Sequence, residues 1–434
     1  MGPRGGNPKK YLYLCFLDLE KAFDKVPRDK LFSKVYNSDI RCKMFRVIKD
    51  LFSSNPENVL LDNFLSPEFT INRGVLQGSK LGPILFNLFI NDLLEDLNNS
   101  GLGASIGSIM ICALGFADDI VLISDSPEKL QRLLNICQSW STKNRMTFAT
   151  SKCEVMILNG PSGSAKFKLN DRTLKVVESY KYFGVALTSK YVSIFFRLHF
   201  HKILERARIK VAIIKRHGFH EDGLRLQTAI KLYKLQIRPV LKYCAQALSY
   251  DRYSKPSDLE SSKGFAKELE HFQTQVLKVL INCPQATSPA ILRLCCGVEP
   301  LACGLEILKL RYYWRIIKGP TDAITYKHLR HRKDNFLSFN KGFVHDTFNI
   351  CCKYNMLNFW HGISPRNVNP LHSIKRQSIS HNLRTDLDTG RSKACSFTSL
   401  FIINPFNYQK KNTIWLIPSC NQTVLIRRKE ENGL

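Results

Sequence analysis

The sequence predicts an α+β fold, and three observations lead to that expectation. Short apolar runs of strand length, such as 11–17, stand beside stretches in which apolar residues recur at helical spacing, such as 84–97. The 434 residues are 44% hydrophobic and 11% aromatic, which is enough for sizeable cores and excludes wholesale disorder. Over about the first 170 residues the predicted elements follow the order β-α-α-β-β-α-β-β, which is a mixed layout.

The first strand is predicted over 11–17 (YLYLCFL), because a continuous apolar run of this length is typical of a strand buried on both faces. It ends at Asp18, and a helix is expected over 29–52. A glycine-bearing loop at 72–81 then leads into a helix that opens with a Gly-Pro pair, since proline suits the first helical turn.

A hairpin is the next predicted element. Two apolar strands, 106–114 and 120–124, are joined across the sequence GFADD. A helix is expected over 126–142 with Ser126 as its N-cap, because a serine hydroxyl there can accept a hydrogen bond from the first helical turn. Further strands are predicted at 155–158, 167–169 and 180–187.

The second part of the chain is strongly basic. The whole sequence carries a formal charge of +28, which points to a polyanionic partner, and residues 190–250 hold 13 Lys and Arg against 3 Asp and Glu. Apolar residues recur there at helical spacing, with basic residues between them, so a basic amphipathic helix that binds an RNA–DNA duplex is predicted. Its apolar positions are Ile203, Ala207, Val211 and Ile214.

The remaining segments are predicted from the same patterns. A second helix is expected at 224–248, a polar linker at 255–264, and further helices at 267–281 and 288–317. Beyond residue 319 the sequence is basic, Asn-rich and aromatic without clear periodicity. Two interpretations of that tail stay open, a basic arm lying on nucleic acid and a partly disordered segment.

Several classes of protein are excluded by what the sequence lacks. The 14 Cys are about 3% of the chain, too few for a disulfide scaffold, and they include no C-x-x-C pair, which argues against a zinc cluster. The first residues lack the apolar core of a signal peptide, and no run of about 18 apolar residues could span a membrane. We therefore expect an intracellular protein of the nucleus or cytoplasm, without a membrane partner.

Two acidic centres stand out. Asp18 directly follows a buried strand, where a carboxylate is costly unless a cation awaits it. Asp118 and Asp119 lie in the turn of the predicted hairpin, and alone such a pair would more often be a turn feature. Three carboxylates from strand ends of one sheet make an oxygen-rich site for two Mg²⁺ ions, which suggests a polymerase or a nuclease.

Four segments resemble motifs A, B and C and the primer-grip motif of reverse transcriptases, in the family's order: FLDLEKAFDKV, RGVLQGSKLGPILFNLFINDL, GFADDIVLIS and SYKYFGVAL. The FADD form and the later stretch IRPVLKYCAQAL are most similar to the non-LTR, LINE-type branch, and the resemblance covers about residues 9–317. It implies a polymerase palm, an antiparallel sheet with helices on one face, at 1–189. It also implies a helical thumb and post-thumb region at 190–318, followed by a basic region of unknown fold at 319–434.

The resemblance implies catalytic roles for individual residues. Asp18 and Asp118 would be the metal ligands, with Asp119 beside them, and the backbone carbonyl of Leu19 would assist one metal. Lys152 fits the lysine that is proposed to protonate the leaving pyrophosphate, although a surface lysine is the plain alternative in so basic a chain. The cofactor implied is a pair of Mg²⁺ ions, with Mn²⁺ as a substitute.

Contacts with nucleotide and primer are implied for further residues. Phe23 fits the family's steric gate, which rejects a 2′-OH, whereas without the motif it would be interpreted as core. Gln77 and Gly78 would lie against the incoming nucleotide and the template, where glycine permits close backbone approach. The tight turn of the primer grip would be formed by Tyr182, Phe183 and Gly184.

The implied function is that of an RNA-directed DNA polymerase of a LINE-like retrotransposon. Its partners would be an RNA template, a DNA primer and deoxynucleoside triphosphates. Only 17 residues precede Asp18, so we expect the fingers region, which binds the triphosphate in the family, to be missing. The alternatives are a catalytically inactive remnant that binds nucleic acid and, more weakly, an intron-encoded maturase, which shares the palm motifs. Template, insertion site and oligomeric state stay open.

Overall fold

The computed structural model describes residues 11–53, 56–76, 78–160, 165–189, 192–218, 226–247, 265–280, 283–338, 342–362, 415–418 and 423–426. The chain forms two compact units, Met1–Phe195 and Phe196–Leu434. The first is a sheet with helices, and the described part of the second is mostly helical. The predicted α+β fold is therefore confirmed.

The first unit is built from fifteen strands, many of them short, and four helices within its described residues. The helices are α1 (Arg28–Asn37), α2 (Cys42–Ser53), α3 (Leu81–Asn99) and α4 (Pro127–Asn144). The strands are β1 (Leu12–Leu17), β2 (Pro56–Glu57), β3 (Leu60–Leu61), β4 (Phe64–Leu65), β5 (Phe69–Thr70), β6 (Ala104–Ile106), β7 (Ile109–Ile111), β8 (Ala113–Phe116), β9 (Asp119–Ser124), β10 (Glu154–Leu158), β11 (Lys168–Leu169), β12 (Arg172–Thr173), β13 (Lys175–Val176), β14 (Ser179–Tyr182) and β15 (Val185–Thr188).

The central sheet has the strand order β13-β10-β1-β9-β8. Every neighbouring pair is antiparallel except β10 and β13, so the sheet is antiparallel with one parallel edge. Successive side chains of a strand point to opposite faces. Cys15 and Leu17 accordingly join the core beneath α3 and α4, whereas Phe16 lies in the cluster on the other face, against Tyr180 and Tyr182.

The helices of the first unit cover one face of this sheet. Their buried residues pack with the odd-numbered residues of β1 in one large core, in which Phe86, Phe89 and Leu93 of α3 are 0% exposed. The opposite face carries the hairpin β14–β15 instead of a helix. Helix α4 begins as predicted, because the Ser126 side chain accepts a hydrogen bond from the backbone N–H of Lys129 at 3.2 Å.

Helices dominate the described part of the second unit. They are α5 (Val192–Gly218), α6 (Leu226–Leu232), α7 (Arg238–Leu241), α8 (Phe265–Leu280), α9 (Pro289–Cys296), α10 (Leu301–Ile317), α11 (Ile324–Asp334), α12 (Phe343–Lys353) and α13 (Leu357–Trp360). A π-helical turn, Tyr233–Ile237, joins α6 to α7, and a hairpin pairs β16 (Trp415–Pro418) with β17 (Thr423–Ile426). Of the helices in the described ranges, none combines the length and apolar character needed to cross a bilayer.

The basic amphipathic helix predicted near residue 200 is present as α5. Ile203, Leu204 and Ala207 are buried, while Lys202 and Arg206 are exposed between them. The apolar stripe is less deeply buried toward the end of the helix, where Val211 and Ile214 are only half-buried. The linker predicted at 255–264 lies outside the described residues.

Five sequence predictions are wrong in detail, and residues with positive φ mark each place. The strand expected at 180–187 turns at Phe183 and Gly184 (φ 46° and 75°) and becomes the hairpin β14–β15. The helix expected at 224–248 ends at Leu241, before the left-handed Cys244 (φ 59°).

The helix expected at 29–52 is interrupted, since Asp39 adopts a left-handed conformation (φ 64°) between α1 and α2. The strand expected at 106–114 turns back at Gly107 (φ 61°) and becomes the hairpin β6–β7 followed by β8. The helix expected at 288–317 ends at Gly297 (φ 56°) and restarts after Pro300.

The stretch after residue 319, which has no clear periodicity, contains helices as far as Trp360. Helices α11, α12 and α13 pack against α10 around an aromatic cluster. The ring of Trp360 stacks on that of Tyr313 with centroids 5.4 Å apart, and the Tyr313 hydroxyl donates a hydrogen bond to the Trp360 carbonyl at 2.6 Å. Aromatic contacts on short helices therefore hold this segment together, which is why no helical period marks it.

Candidate active site

Asp18 is the first residue after β1, and its main chain is held from both sides. The backbone N–H of Ala149 donates to the Asp18 carbonyl at 2.8 Å. The Asp18 N–H in turn donates to Cys153 Sγ at 3.5 Å, and the Cys153 thiol points back to the Asp18 carbonyl at 3.9 Å. The next residue, Leu19, is buried and forms an isolated bridge with Phe148. These contacts fix the direction in which the Asp18 carboxylate leaves the sheet.

Asp118 lies in the turn between β8 and β9, and Asp119 is the first residue of β9. The turn consists of Ala117 and Asp118, and Ala117 has a positive φ of 53°, so the chain reverses within two residues. Strand β9 pairs with β1 such that Leu17 lies opposite Ile120. One further step in this antiparallel register places Asp18 opposite Asp119, at the same end of the two central strands.

The carboxylates at this end of the sheet influence one another. The pKa of Asp119 is raised above its ordinary value, first because neighbouring protein partly desolvates the carboxyl and then because Asp118 and Asp18 repel its negative charge. Lys152 provides a nearby cation, with Nζ 3.6 Å from Asp18 Oδ2. The fold therefore brings together all four residues predicted to be catalytic. We call Asp18, Asp118, Asp119 and Lys152 the carboxylate edge.

Two tyrosines of β14 lie beside the carboxylate edge, on the face opposite the helices. Tyr180 stacks on Phe16 of β1 with ring centroids 3.8 Å apart and planes 10° from parallel. Burial, together with the charge of Asp119, raises the pKa of Tyr180 and that of Tyr182 to about 12. Both phenols consequently keep their protons and can donate hydrogen bonds close to the carboxylates.

The turn of the predicted primer grip follows β14. Phe183 and Gly184 have φ values of 46° and 75°, which is the backbone form of a two-residue hairpin turn with positive φ at both positions. Tyr182 and Phe183 are in ring contact at 4.2 Å. The Phe183 ring also meets Phe116, the last residue of β8, edge to face at 5.2 Å, and Phe116 is 69% exposed. An exposed aromatic pair thus adjoins the Ala117–Asp118 turn.

The remaining predicted site residues lie on other elements. Phe23 is half-buried and stacks on Phe86 of α3 at 4.7 Å, and its carbonyl accepts a hydrogen bond from Val75. Gly78 has a φ of 81° in the loop before α3, and no atom lies within 4 Å of the position where a Cβ would be. Gln77 lies outside the described residues.

Sequence reasoning missed three residues at this site. Tyr180 could have been found from the period of two, because it shares a strand face with Tyr182. Phe116 could have been found from its place just before the acidic turn. Cys153 carries no such signal, since its thiol acts through the main chain of a residue 135 positions away.

Divalent metal use is general among reverse transcriptases, and the donor chemistry here suits it. Carboxylate oxygens are the ligands that Mg²⁺ prefers. A bound cation would also offset the repulsion from Asp118 and Asp18 that contributes to the raised pKa of Asp119. Within the described ranges, no group of three or more His, Cys, Asp or Glu side chains is drawn together closely enough to hold a metal ion.

Comparison with known proteins identifies the first unit. The reverse transcriptase (RNA-dependent DNA polymerase) family matches residues 5–187, the stretch that supplies every residue of the carboxylate edge. Residues 5–187 are a reverse transcriptase domain. The resemblance seen in the sequence motifs is thereby confirmed.

Relatives of this reverse transcriptase domain come from mobile elements. The RNA-directed DNA polymerase from mobile element jockey of Drosophila funebris is 29% identical over 245 residues, which is 55% of this chain and 26% of that protein. A retrovirus-related Pol polyprotein of the type-1 retrotransposable element R2 of Popillia japonica is 27% identical over 183 residues, which is 40% of this chain and 30% of that protein. These relatives place the reverse transcriptase domain in the non-LTR, LINE-type branch. The chain matches less than a third of their length.

A solved telomerase structure from Candida tropicalis, in complex with a fragment of telomeric RNA, is similar at a TM-score of 0.36 and 10% sequence identity. The match covers 88% of this chain and 49% of that one. A likeness at this score does not establish a common fold, so the family assignment rests on the sequence match.

Proposed function

We propose that this chain is an RNA-directed DNA polymerase of a LINE-type mobile element. It would extend the 3′-OH of a DNA primer with deoxynucleotides chosen by an RNA template. The observation that carries the proposal is the carboxylate edge, in which Asp18 and Asp118, 100 residues apart in the chain, reach the same end of two paired strands. Relatives described as RNA-directed DNA polymerases support the same activity.

In the proposed mechanism, the Asp18 and Asp118 carboxylates and the Leu19 carbonyl would hold two Mg²⁺ ions, and Asp119 would add negative charge beside them. When bound, such ions act as Lewis acids on the attacking and leaving oxygens of a phosphoryl transfer. Cys153 and Ala149 keep the main chain of Asp18 in place. Orientation of this kind matters, because small displacements of a reacting group cost large factors in rate.

Lys152 has the proposed role of proton donor to the leaving pyrophosphate. Its ammonium lies 3.6 Å from Asp18 Oδ2, and both side chains are well exposed to solvent. An exposed ion pair of this kind contributes little to stability, so what supports the role is the distance of the ammonium from Asp18. The Lys152 Nζ–H would pass to a pyrophosphate oxygen as the bond to the α-phosphorus breaks.

Selection of the nucleotide is assigned to Phe23, Gln77 and Gly78. Stacking on Phe86 fixes the Phe23 ring, which would block a 2′-OH. Gly78, with its open surroundings, would let the template or the nucleotide approach the backbone, next to Gln77. The turn at Phe183 and Gly184, preceded by Tyr182, would support the primer end.

The second unit is proposed to grip nucleic acid. We assign residues 1–189 to the palm and residues 190–318 to a thumb and post-thumb region, with residues 319–434 as a further basic region. The exposed cations of α5, including Lys202 and Arg206, favour contact with a phosphate backbone. That basic surface alone would also suit a nucleic-acid-binding protein without catalytic activity, which is the second candidate function.

Primer extension by the full chain tests the proposal. The substitution Asp118→Asn keeps the size of the side chain and removes its charge, so extension on an RNA template with Mg²⁺ should fall by at least about a hundredfold, given the several kcal/mol that metals supply to the transition state. Asp125→Asn is the matched control, since Asp125 follows the other end of the same strand, β9, and pairs with Lys129.

The two candidate functions give different results in this assay. Loss of extension in Asp118→Asn, with Asp125→Asn unchanged, supports the polymerase. No extension by the unaltered chain, together with salt-sensitive binding of an RNA–DNA duplex, would favour the binding protein without catalysis. Equal extension by all three proteins would show that the carboxylate edge does not catalyse the reaction.

A further inference from the structure

Lys242, at the end of α7, is a half-buried cation in unfavourable surroundings. Among the described residues its ammonium has no hydrogen-bond or salt-bridge partner, whereas the neighbouring Arg238 pairs with Glu299. The ammonium lies against Gly304 of α10, because a Cβ added to that glycine would overlap Lys242 Nζ and Cε and lie 3.3 Å from Arg238 Nη2. Lys242 and Arg238 therefore lie together over one bare glycine of a helix.

Three further influences oppose a positive charge at this place. Arg238 and Arg311 both repel the Lys242 ammonium. Gly304 lies in the first turn of α10, a 17-residue helix whose N-terminus carries partial positive charge. Burial and this repulsion together lower the pKa of Lys242 to about 8, despite the opposing effect of Glu299. Counting Arg238, Lys242 and Arg311 against Glu299, the cluster has a net charge of +2.

We propose that Arg238, Lys242, Arg311 and Gly304 form a binding site for a phosphate group. A phosphate carries enough charge to neutralise the excess, and a guanidinium fork beside an ammonium matches its oxygens. Gly304 supplies the space, because any side chain there would push the ammonium away. The phosphate comes either from a nucleic-acid backbone or from a free phosphate ion, and the chemistry of recognition is the same.

The site lies wholly within the second unit and is independent of the polymerase activity proposed above. A binding experiment therefore tests it without primer extension. Unprotonated amines are the reactive form toward acylating reagents, so a lysine with a lowered pKa is modified early near neutral pH. Lys242 can thus report on its own occupancy when the sites of acylation are read by mass spectrometry.

The experiment measures the acylation rate of Lys242 in the full chain near pH 7.5, alone, with inorganic phosphate, and with a single-stranded oligonucleotide, at equal ionic strength set by chloride. We expect a bound phosphate to slow the reaction at Lys242 about tenfold, the effect of one charge-assisted contact. Lys231, exposed on α6, is the internal control and should be slowed much less.

Gly304→Ala is the decisive variant. It leaves the charge of the chain unchanged and favours the helix, yet its methyl displaces the Lys242 ammonium. Protection of Lys242 should disappear in this variant while its thermal unfolding is preserved, and Lys242→Gln should reduce the salt dependence of oligonucleotide binding by about one phosphate contact.

The outcomes separate the sources of the phosphate. Protection by the oligonucleotide alone supports a backbone phosphate, and protection by inorganic phosphate as well supports a site for the free ion. Absence of protection by either ligand would overturn the proposal. Protection that survives in Gly304→Ala would overturn it too, because the contact would then not depend on this arrangement.

Discussion

The carboxylate edge gathers like charges near solvent, whereas the contact between α10 and α12 buries a pair of opposite charges. At the carboxylate edge three aspartates repel one another, and the nearest described cation, Lys152, is exposed. Between the two helices, Lys309 is only 5% exposed and its ammonium lies 2.8 Å from Asp346 Oδ2. The like charges at the end of the sheet fit the metal site that we propose there, whereas the buried opposite pair links two helices.

The sheet can tolerate the repulsion because its strands are anchored by burial. Cys15 and Leu122 are 0% exposed and Leu17 is 2% exposed, so the strands that end at the aspartates are fixed by the core beneath them. Destabilising contacts at a functional site are commonly compensated by stabilising contacts elsewhere in the fold. The Lys309–Asp346 pair lies in a segment with a smaller hydrophobic core, so less buried apolar surface is available there to offset the loss of the pair.

The largest effect is expected from breaking the buried pair. Asp346→Ala would leave the Lys309 ammonium buried without its partner and should lower the free energy of unfolding by about 3–5 kcal/mol. Asp334→Ala is the control, since Asp334 pairs with Arg330 at 3.9 Å on an exposed face and should change stability by less than about 0.5 kcal/mol. Urea unfolding of the full chain measures both. Equal changes in the two variants would contradict the distinction between paired and exposed charges.

An intermediate effect is expected at Cys153, which links the core to the carboxylate edge. Cys153→Val removes the acceptor of the Asp18 N–H, which should cost about 1–3 kcal/mol of stability and lower the turnover of primer extension about tenfold. Cys153→Ser keeps an acceptor and should restore most of the turnover. Cys137→Val, a change in the same buried core, serves as the control.

The turnover number separates positioning from simple destabilisation in this series. If Cys153→Val and Cys137→Val lower stability equally but only the first lowers turnover, Cys153 positions Asp18. If turnover falls in parallel with stability in both, its contact with Asp18 has no separate role.

The sequence predicts the carboxylate edge well because local patterns determine it. A strand that ends in Asp18 and a hairpin that turns at Asp118 are both visible in short stretches, and antiparallel pairing then brings them together. The boundaries of α1 and α2 are less visible, since a left-handed Asp39 is a property of one residue within an otherwise helical pattern.

Contacts between distant residues could not be predicted in the same way. The bond from Asp18 to Cys153 spans 135 positions, and the pairing of Lys309 with Asp346 joins two helices whose sequences give no register. The helices around Trp360 escaped prediction because aromatic stacking, rather than a repeated apolar stripe, orders them. Sequence patterns therefore predict strands, turns and amphipathic helices, which depend on residues close in the chain. Contacts between distant segments depend on tertiary packing and are seen only in the structure.

The smallest effect is expected at Asp119, and its sign distinguishes the two regions most sharply. Because its pKa is raised by desolvation and by Asp118 and Asp18, folding disfavours the ionised form. Asp119→Asn should therefore increase the free energy of unfolding at pH 7, by about 0.5 kcal/mol or less, since the side chain is exposed and its charge is screened.

The pH dependence follows from the same shift. A carboxyl with a raised pKa contributes its full stability below its ordinary value of 3.8 and loses that contribution as the pH rises through the folded-state pKa. The advantage of Asp119→Asn should thus be present at pH 7 and smaller at pH 4, as measured by urea unfolding at both values. A loss of more than about 1 kcal/mol at pH 7 would place Asp119 among the paired, structural charges, as at Asp346, and would remove the contrast between the two regions.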